Sequence, residues 1–295
     1  MKVSAKMKRN RVFLLLSCVV AVCLLALDAV AREGALFDNI VPISKAHAHN
    51  DYRHPRPLLD ALDHGFRSVE ADIFLVDSEL RVGHDRHELK AGHRRQKLYL
   101  EPPRQRVSDG VLSPQQATFY LWIDVKADGE KVYNELRRVL PRYGAMLSSF
   151  DNGKLQRRTV TVVLSGALAG SRSGQMVQAR GDAVRYAFID GRLTDLESSA
   201  PALNSPLVFI SDSYRLHFKW HSAGQMPLDE RSRLHDMVVK AHAQGLWFHL
   251  WATPDTPEMW GELLDAGADL INTDDLPGLR RLLLERIPMA AQKFN

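Results

Sequence analysis

Cysteine is nearly absent from this chain of 295 residues. Its two copies, Cys18 and Cys23, both fall within the first 31 positions. The remaining 264 residues therefore exclude disulfide frameworks, Cys-ligated metal sites and thiol catalysis. Net charge is missing too once the same 31 residues are set aside. They carry five basic side chains and one acidic, which leaves 34 of each sign in the rest. The whole-chain excess of +4 thus belongs to the N-terminal segment and gives no ground for nucleic-acid binding. The one long apolar run, residues 12–27, has about 16 residues, short of the roughly 20 that a membrane span needs. No internal repeat or low-complexity linker divides the chain.

The N-terminal segment reads as a secretory leader. Lys2, Lys6, Lys8, Arg9 and Arg11 precede the apolar run, and Ala29-Val30-Ala31 follows it as a small-residue cleavage site. An uncleaved anchor is disfavoured by the run's length and by Asp28 at its end. The expectation is a cleaved signal peptide over residues 1–31 and a secreted or periplasmic domain over 32–295. That length can bury a core without crosslinks and suits one barrel of ~250 residues.

What the domain does have is a succession of short apolar runs that end in polar clusters. Residues 40–47, 66–75, 119–126, 159–164, 185–190, 207–210, 246–251 and 268–274 read as strands. Helical patterns at 55–64, 128–140, 228–244, 256–266 and 276–286 lie between several of them. Eight strands in βα alternation favour an α/β fold, a closed (β/α)8 TIM-type barrel, over an open sheet. Residues 86–112, with Arg94, Arg95, Lys97, Arg104 and Arg106, read as a long basic loop. It is expected to recruit an anionic substrate or surface, unless it is merely solvated. Residues 140–160 and 165–185 carry no clear pattern.

In such a barrel the strand ends converge on one face. Glu70 and Asp72 are two apart on a strand, so both side chains point the same way. Crowded inward carboxylates are costly without a cation between them, and a hard divalent ion, Mg²⁺ or Ca²⁺, meets that need. Solvation and loop arginines would account for Glu-x-Asp alone. Asp124 adds a third carboxylate from the next strong strand and favours the cation, and Lys126 lies two further along the same face. His49 and His84 each follow a strand, and imidazoles can give or take a proton near neutral pH. Twelve histidines make loop histidines commonplace here; these two stand out by the company of Glu70 and Asp72. His47, on the same face as His49, is a secondary candidate. His54, His64, His87, His93, His217, His221, His235 and His242 read as surface or packing residues.

Glu70-x-Asp72 with His84-Asp85, together with the ending Gly267-Ala268-Asp269-Leu270-Ile271-Asn272-Thr273-Asp274, resembles the phospholipase-C-like phosphodiesterase superfamily. That group includes glycerophosphodiester phosphodiesterases and phosphatidylinositol-specific phospholipase C. Leu250-Trp251-Ala252-Thr253 is similar to its penultimate strand, and His49-Asn50-Asp51-Tyr52 to a little-characterised branch. The resemblance implies one divalent cation held by Glu70, Asp72 and Asp124, with His49 and His84 as acid and base in an order left open. It implies that Lys126 contacts the phosphate, that Trp251 lines the pocket mouth, and that Asn50 contacts substrate. The expected activity is metal-dependent hydrolysis of a glycerophosphodiester- or phospholipid-like substrate. The expected partners are a small phosphodiester or a phospholipid head group, with transient membrane-surface contact, no nucleic acid and no obligate protein.

Three departures bear on the substrate. Asn50 stands where glycerophosphodiesterases carry an arginine for the phosphate, the usual Glu-Asn-Thr is absent, and the third carboxylate is aspartate rather than glutamate. They weaken the case for glycerophosphodiesters more than that for a phosphodiester. Two other classes stay open. His47-x-His49 with Asp274 also resembles a metal-dependent amidohydrolase, although the middle strand ends carry Ser165, Asp190 and Ser211 where that chemistry needs histidines. A non-catalytic binding barrel is the other, since folds do not imply functions.

Overall fold

β-Branched residues set the strands. Val160 to Ser165 are buried without a break in the strand Val160–Gly166, as befits a parallel strand covered on both faces. The computed structural model describes residues 40–89, 96–109, 112, 118–152, 154–166, 182–197 and 207–286. Residues 1–31, which read as a leader, lie outside them, as do Arg94 and Arg95.

Eight parallel strands follow one another around the ring: β1 (Ile43–Ala48), β2 (Phe66–Val76), β4 (Phe119–Val125), β7 (Val160–Gly166), β9 (Ala187–Gly191), β10 (Leu207–Ser213), β11 (Trp247–Trp251) and β12 (Ile271–Thr273). β3 (Glu79–Val82) folds back antiparallel on β2. β5 (Ser149–Asp151), β6 (Lys154–Gln156) and β8 (Val184–Arg185) form a separate small sheet in the region without sequence pattern. Between β11 and β12 the ring is joined by one bridge, His249 to Leu270, with the Phe248 carbonyl accepting from the Asp269 N–H at 3.0 Å. The sequence expectation of a (β/α)8-type barrel is therefore met.

Alternation sorts the side chains into two cores. Tyr120, Trp122, Val163, Phe209 and Leu270 fill the barrel, while Leu121 and Ile123 face outward into the larger core shared with the helices. The outer layer includes α1 (Leu59–Asp63), α2 (Glu101–Ser108), α3 (Gly129–Val139), α4 (Leu228–Ala243), α5 (Pro257–Ala266) and α6 (Leu276–Arg286). α5 shows why such helices start and stop where they do. Thr256 Oγ1 accepts from the Met259 N–H at 3.3 Å, Pro257 opens the first turn, and Gly267 ends the helix at φ 91°.

Two sequence expectations change. α1 is shorter than residues 55–64 because Leu58 sits at φ 66°, outside helical geometry. The stretch read as a long basic loop contains α2, started by Pro102 and Pro103 and anchored by Tyr99 and Leu100, both fully buried. Arg104 there pairs with Glu101 and lies over the Tyr143 ring, 5.5 Å from its centroid. Part of the basic charge is thus engaged locally.

Asp51 ties this segment to the loop after β1. Its carboxylate is fully buried and accepts from the Leu58 N–H and from Tyr99 Oη, the latter at 2.8 Å. Burial raises its pKa to about 7. The native state therefore holds this proton between about pH 4 and 7 while the unfolded chain releases it, so Asp51 makes stability fall as pH rises through that window. Urea unfolding at pH 5 and pH 7.5 is expected to show a smaller drop for Asp51→Asn than for wild type. Parallel drops in the two proteins would show that Asp51 is not protonated in the fold.

Candidate active site

Asp72 and Asp124 are register partners on β2 and β4, and Glu70 lies one inward position deeper on β2. One oxygen from each of the three gathers within 4.8 Å of the others. Lys126 Nζ spans two of them, 2.9 Å from Asp72 Oδ2 and 2.7 Å from Asp124 Oδ2. Asp72 Oδ2 also lies 2.8 Å from His84 Nδ1 and 2.9 Å from Tyr52 Oη. That oxygen is fully used, whereas Oδ1 of Asp72 and Oδ1 of Asp124 are buried with no hydrogen-bond partner among the described residues. Unpaired buried carboxylate oxygens are expensive. Burial first, then Asp72 and Asp124, push Glu70 up to about 7 against the pull of His49. A set of hard oxygen donors short of positive charge fits one divalent cation such as Mg²⁺ or Ca²⁺. Gly166, at φ 74° on the end of β7, keeps this cradle open: a Cβ there would come within 1.7 Å of Asp124 Oδ1.

The two histidines flank the carboxylates and are held alike. His49 Nδ1 lies 2.9 Å from Asp274 Oδ1, and His84 Nδ1 is bound to Asp72. A carboxylate on Nδ1 keeps the proton there and leaves Nε2 as the working nitrogen. His49 Nε2 is 3.8 Å from Glu70 Oε2. Burial pulls the His49 pKa down, but the Asp274 hydrogen bond and Glu70 outweigh it, and the net shift is upward. Asn50, in the left-handed region at φ 46° that asparagine tolerates, packs its side-chain nitrogen 3.2 Å from the His49 ring nitrogens. The Tyr52 hydroxyl reaches both Asn50 Oδ1, at 2.8 Å, and Asp72, and its single proton serves one of them.

His49, Asn50, Glu70, His84, Asp124 and Lys126 line one cavity of about 760 Å³ at the C-terminal ends of the strands, while Asp72 and Tyr52 are buried in contact with them. All eight predicted site residues, His49, Asn50, Glu70, Asp72, His84, Asp124, Lys126 and Trp251, gather at this end of the barrel. Trp251, 40% exposed, stands on its rim. His47 takes a different place. It is buried in the floor with Nδ1 2.7 Å from Ser68 Oγ, and its ring packs on Trp122 and His249 at 5.4 and 5.3 Å. Burial holds His47 well below its ordinary value and His249 down to about 4, so both are neutral near pH 7. His249 was missed in the sequence; its signal is the alternation Trp247-x-His249-x-Trp251 on a strand facing inward. Asp190, Arg192 and Ser211 form the far wall. The middle strands thus end without the histidines that amidohydrolase chemistry needs.

A family model described as AIM6-like phosphodiesterase domain matches residues 35–190, and one for the glycerophosphoryl diester phosphodiesterase family matches residues 248–277. The chain is similar to altered inheritance of mitochondria protein 6 of Eremothecium gossypii, 29% identical over 288 residues, which cover 86% of this chain and 72% of that one. It is 31% identical to the homolog in Arthroderma benhamiae over 267 residues, 80% of this chain and 82% of the other. The solved structure of a glycerophosphodiester phosphodiesterase from Parabacteroides distasonis shares the fold, with a TM-score of 0.52 at 16% identity, covering 84% of this chain and 100% of that one.

The cradle can be tested at Gly166. Gly166→Ala is expected to displace the Asp124 carboxylate and weaken Ca²⁺ or Mg²⁺ binding about tenfold or more, read by calorimetry on protein whose circular dichroism is unchanged. Wild-type affinity in this variant would remove Asp124 from the ligand set.

Proposed function

The chain belongs to the AIM6-like phosphodiesterase domain family, and from that membership and its site geometry we propose that it is a metal-dependent phosphodiester hydrolase acting on a glycerophosphodiester- or phospholipid-like substrate. One observation carries the reading: the unpartnered Oδ1 atoms of Asp72 and Asp124 lie beside two histidines, each held through Nδ1 by a carboxylate. Glu70, Asp72 and Asp124 would hold one divalent cation, Mg²⁺ or Ca²⁺, and such an ion neutralises charge on a phosphoryl oxygen.

The chain's own groups do the rest. Nε2 of one histidine takes the proton from the attacking oxygen, either water or a neighbouring hydroxyl of the substrate. Nε2 of the other gives a proton to the departing alkoxide, otherwise a poor leaving group. Asp274 and Asp72 set the tautomer that makes both acts available. Lys126, already against two of the carboxylates, directs a remaining N–H toward the phosphoryl group. Asn50 fixes the His49 ring, and Trp251 offers an apolar surface at the mouth to the alcohol portion.

His49→Ala and His84→Ala are each expected to lower kcat by about 10²–10⁴-fold on an alkyl phosphodiester. On a nitrophenyl ester, whose leaving group needs no proton, only the variant that lacks the acid should recover. Near-normal turnover of the alkyl ester by both variants would refute paired-histidine catalysis.

We also propose that residues 1–31 are a cleaved secretory signal and that the barrel works outside the cytoplasm. Mass spectrometry of the exported protein is expected to place its first residue at Arg32. Retention of the segment on protein kept inside the cell would overturn this.

A further inference from the structure

Arg192 follows β9 and is held from behind. Its Nη1 lies 2.6 Å from Asp190 Oδ2, 3.0 Å from the Gly191 carbonyl and 3.2 Å from Ser211 Oγ. Ser211 in turn donates to Asp190 Oδ2, and both anchors are buried, at 2% and 0% exposure. All the side-chain contacts fall on Nη1. Nη2 and Nε have no protein acceptor among the described residues, and the side chain keeps 19% of its surface exposed in the cavity that also holds His49 and Lys126.

A diester's phosphoryl group carries a negative charge that must be met in this cavity. Of the other cations in the cavity, Lys126 is engaged by Asp72 and Asp124, His49 by Asp274 and Arg53 by Glu88, while Arg215 has no second residue, among those described, pinning its guanidinium as Asp190 and Ser211 pin Arg192. Between Asp124 on β4 and Asp190 on β9 stands only β7, so the two strands are about 10 Å apart at the usual spacing. At their level β7 contributes only the small side chain of Ser165 and then ends in Gly166, which leaves an opening between them. A phosphoryl group lying against the carboxylate trio faces Arg192 across that opening. A planar guanidinium with one nitrogen already pinned loses little freedom when it binds an oxyanion.

We infer that Arg192 binds a non-bridging oxygen of the scissile phosphoryl group, with Asp190 and Ser211 as its positioning residues. This role rests on the phosphodiesterase reading. A simple counter-ion to Asp190 would be expected to exist without any ligand, and an anionic group elsewhere on the substrate offers the same chemistry to Arg192, so the test separates all three.

The mature protein, loaded with Ca²⁺, is compared with Arg192→Gln, Asp190→Asn and the double variant. Binding of inorganic phosphate is measured by calorimetry. Turnover is measured on bis(4-nitrophenyl) phosphate, which has no second anion, and on a glycerophosphodiester whose alcohol bears a carboxylate. Arg192→Gln is expected to weaken phosphate binding and to lower kcat/KM on both diesters by about tenfold or more, and the double variant stays impaired. Recovery of the double variant to wild-type values would make Arg192 a counter-ion and overturn the inference. Loss confined to the carboxylate-bearing diester, with phosphate binding intact, would overturn it in favour of a remote anion. Arg192→Lys, which keeps the charge but not the fork, serves if Arg192→Gln does not fold, and an intermediate loss is expected from it; full wild-type values in Arg192→Lys would also count against the inference. If wild type binds phosphate through Arg192 but cleaves no diester, the binding role stands and the catalytic reading fails.

Discussion

Asp72 Oδ2 is the point on which the site turns. One buried oxygen lies within hydrogen-bond distance of Tyr52, His84 and Lys126, and those groups come from three different parts of the chain: the loop after β1, the loop after β3 and the end of β4. A shared acceptor of this kind sets their mutual distances without requiring that they touch. It also leaves the other oxygen of the same carboxylate without a partner. The arrangement is therefore both a brace for the protein and an opening for a cation, and neither use interferes with the other.

The histidine anchors follow the same logic. A ring held at Nδ1 keeps its orientation and its tautomer, so only Nε2 meets a ligand. Asp274 does this for His49 from the last strand, some 225 positions away in the chain. Barrel closure is what makes that pairing available, because β12 lies directly beside β1. The neutral floor of His47, Trp122 and His249 contributes in another way: aromatic rings packed edge to face fill the space below the reacting groups.

Much of this was legible before any coordinates. Strands announced themselves because β-branched and aromatic residues cluster in them, and Glu70, Asp72 and Asp124 because inward carboxylates need a reason. What stayed hidden depended on partners brought by tertiary structure. α2 reads as loop in the sequence because its basic residues mask the anchoring pair Tyr99-Leu100. His249 looks like any strand residue until Asn272 and His47 are beside it. Arg192 carries no motif at all, and its significance lies in Asp190 and Ser211 holding it on two adjacent strands. His47 shares its spacing with His49, yet one alternation deeper in a barrel means neutrality rather than proton transfer.

The joint between β11 and β12 has a mechanical side. Seven of the eight seams in the ring are stitched by ladders, whereas this one has a single backbone bridge, His249 to Leu270, backed by side-chain links from Asn272 to His249 and from the Phe248 N–H to Asp269. The strands on either side of that seam end in Trp251 and lead into Asp274, and beyond them the Asp274 N–H donates to Asp255 Oδ2 at 2.9 Å. On this side the rim beside the anchor of His49 is thus shaped by a few side chains, whereas the carboxylates of β2 and β4 stand in a continuous ladder.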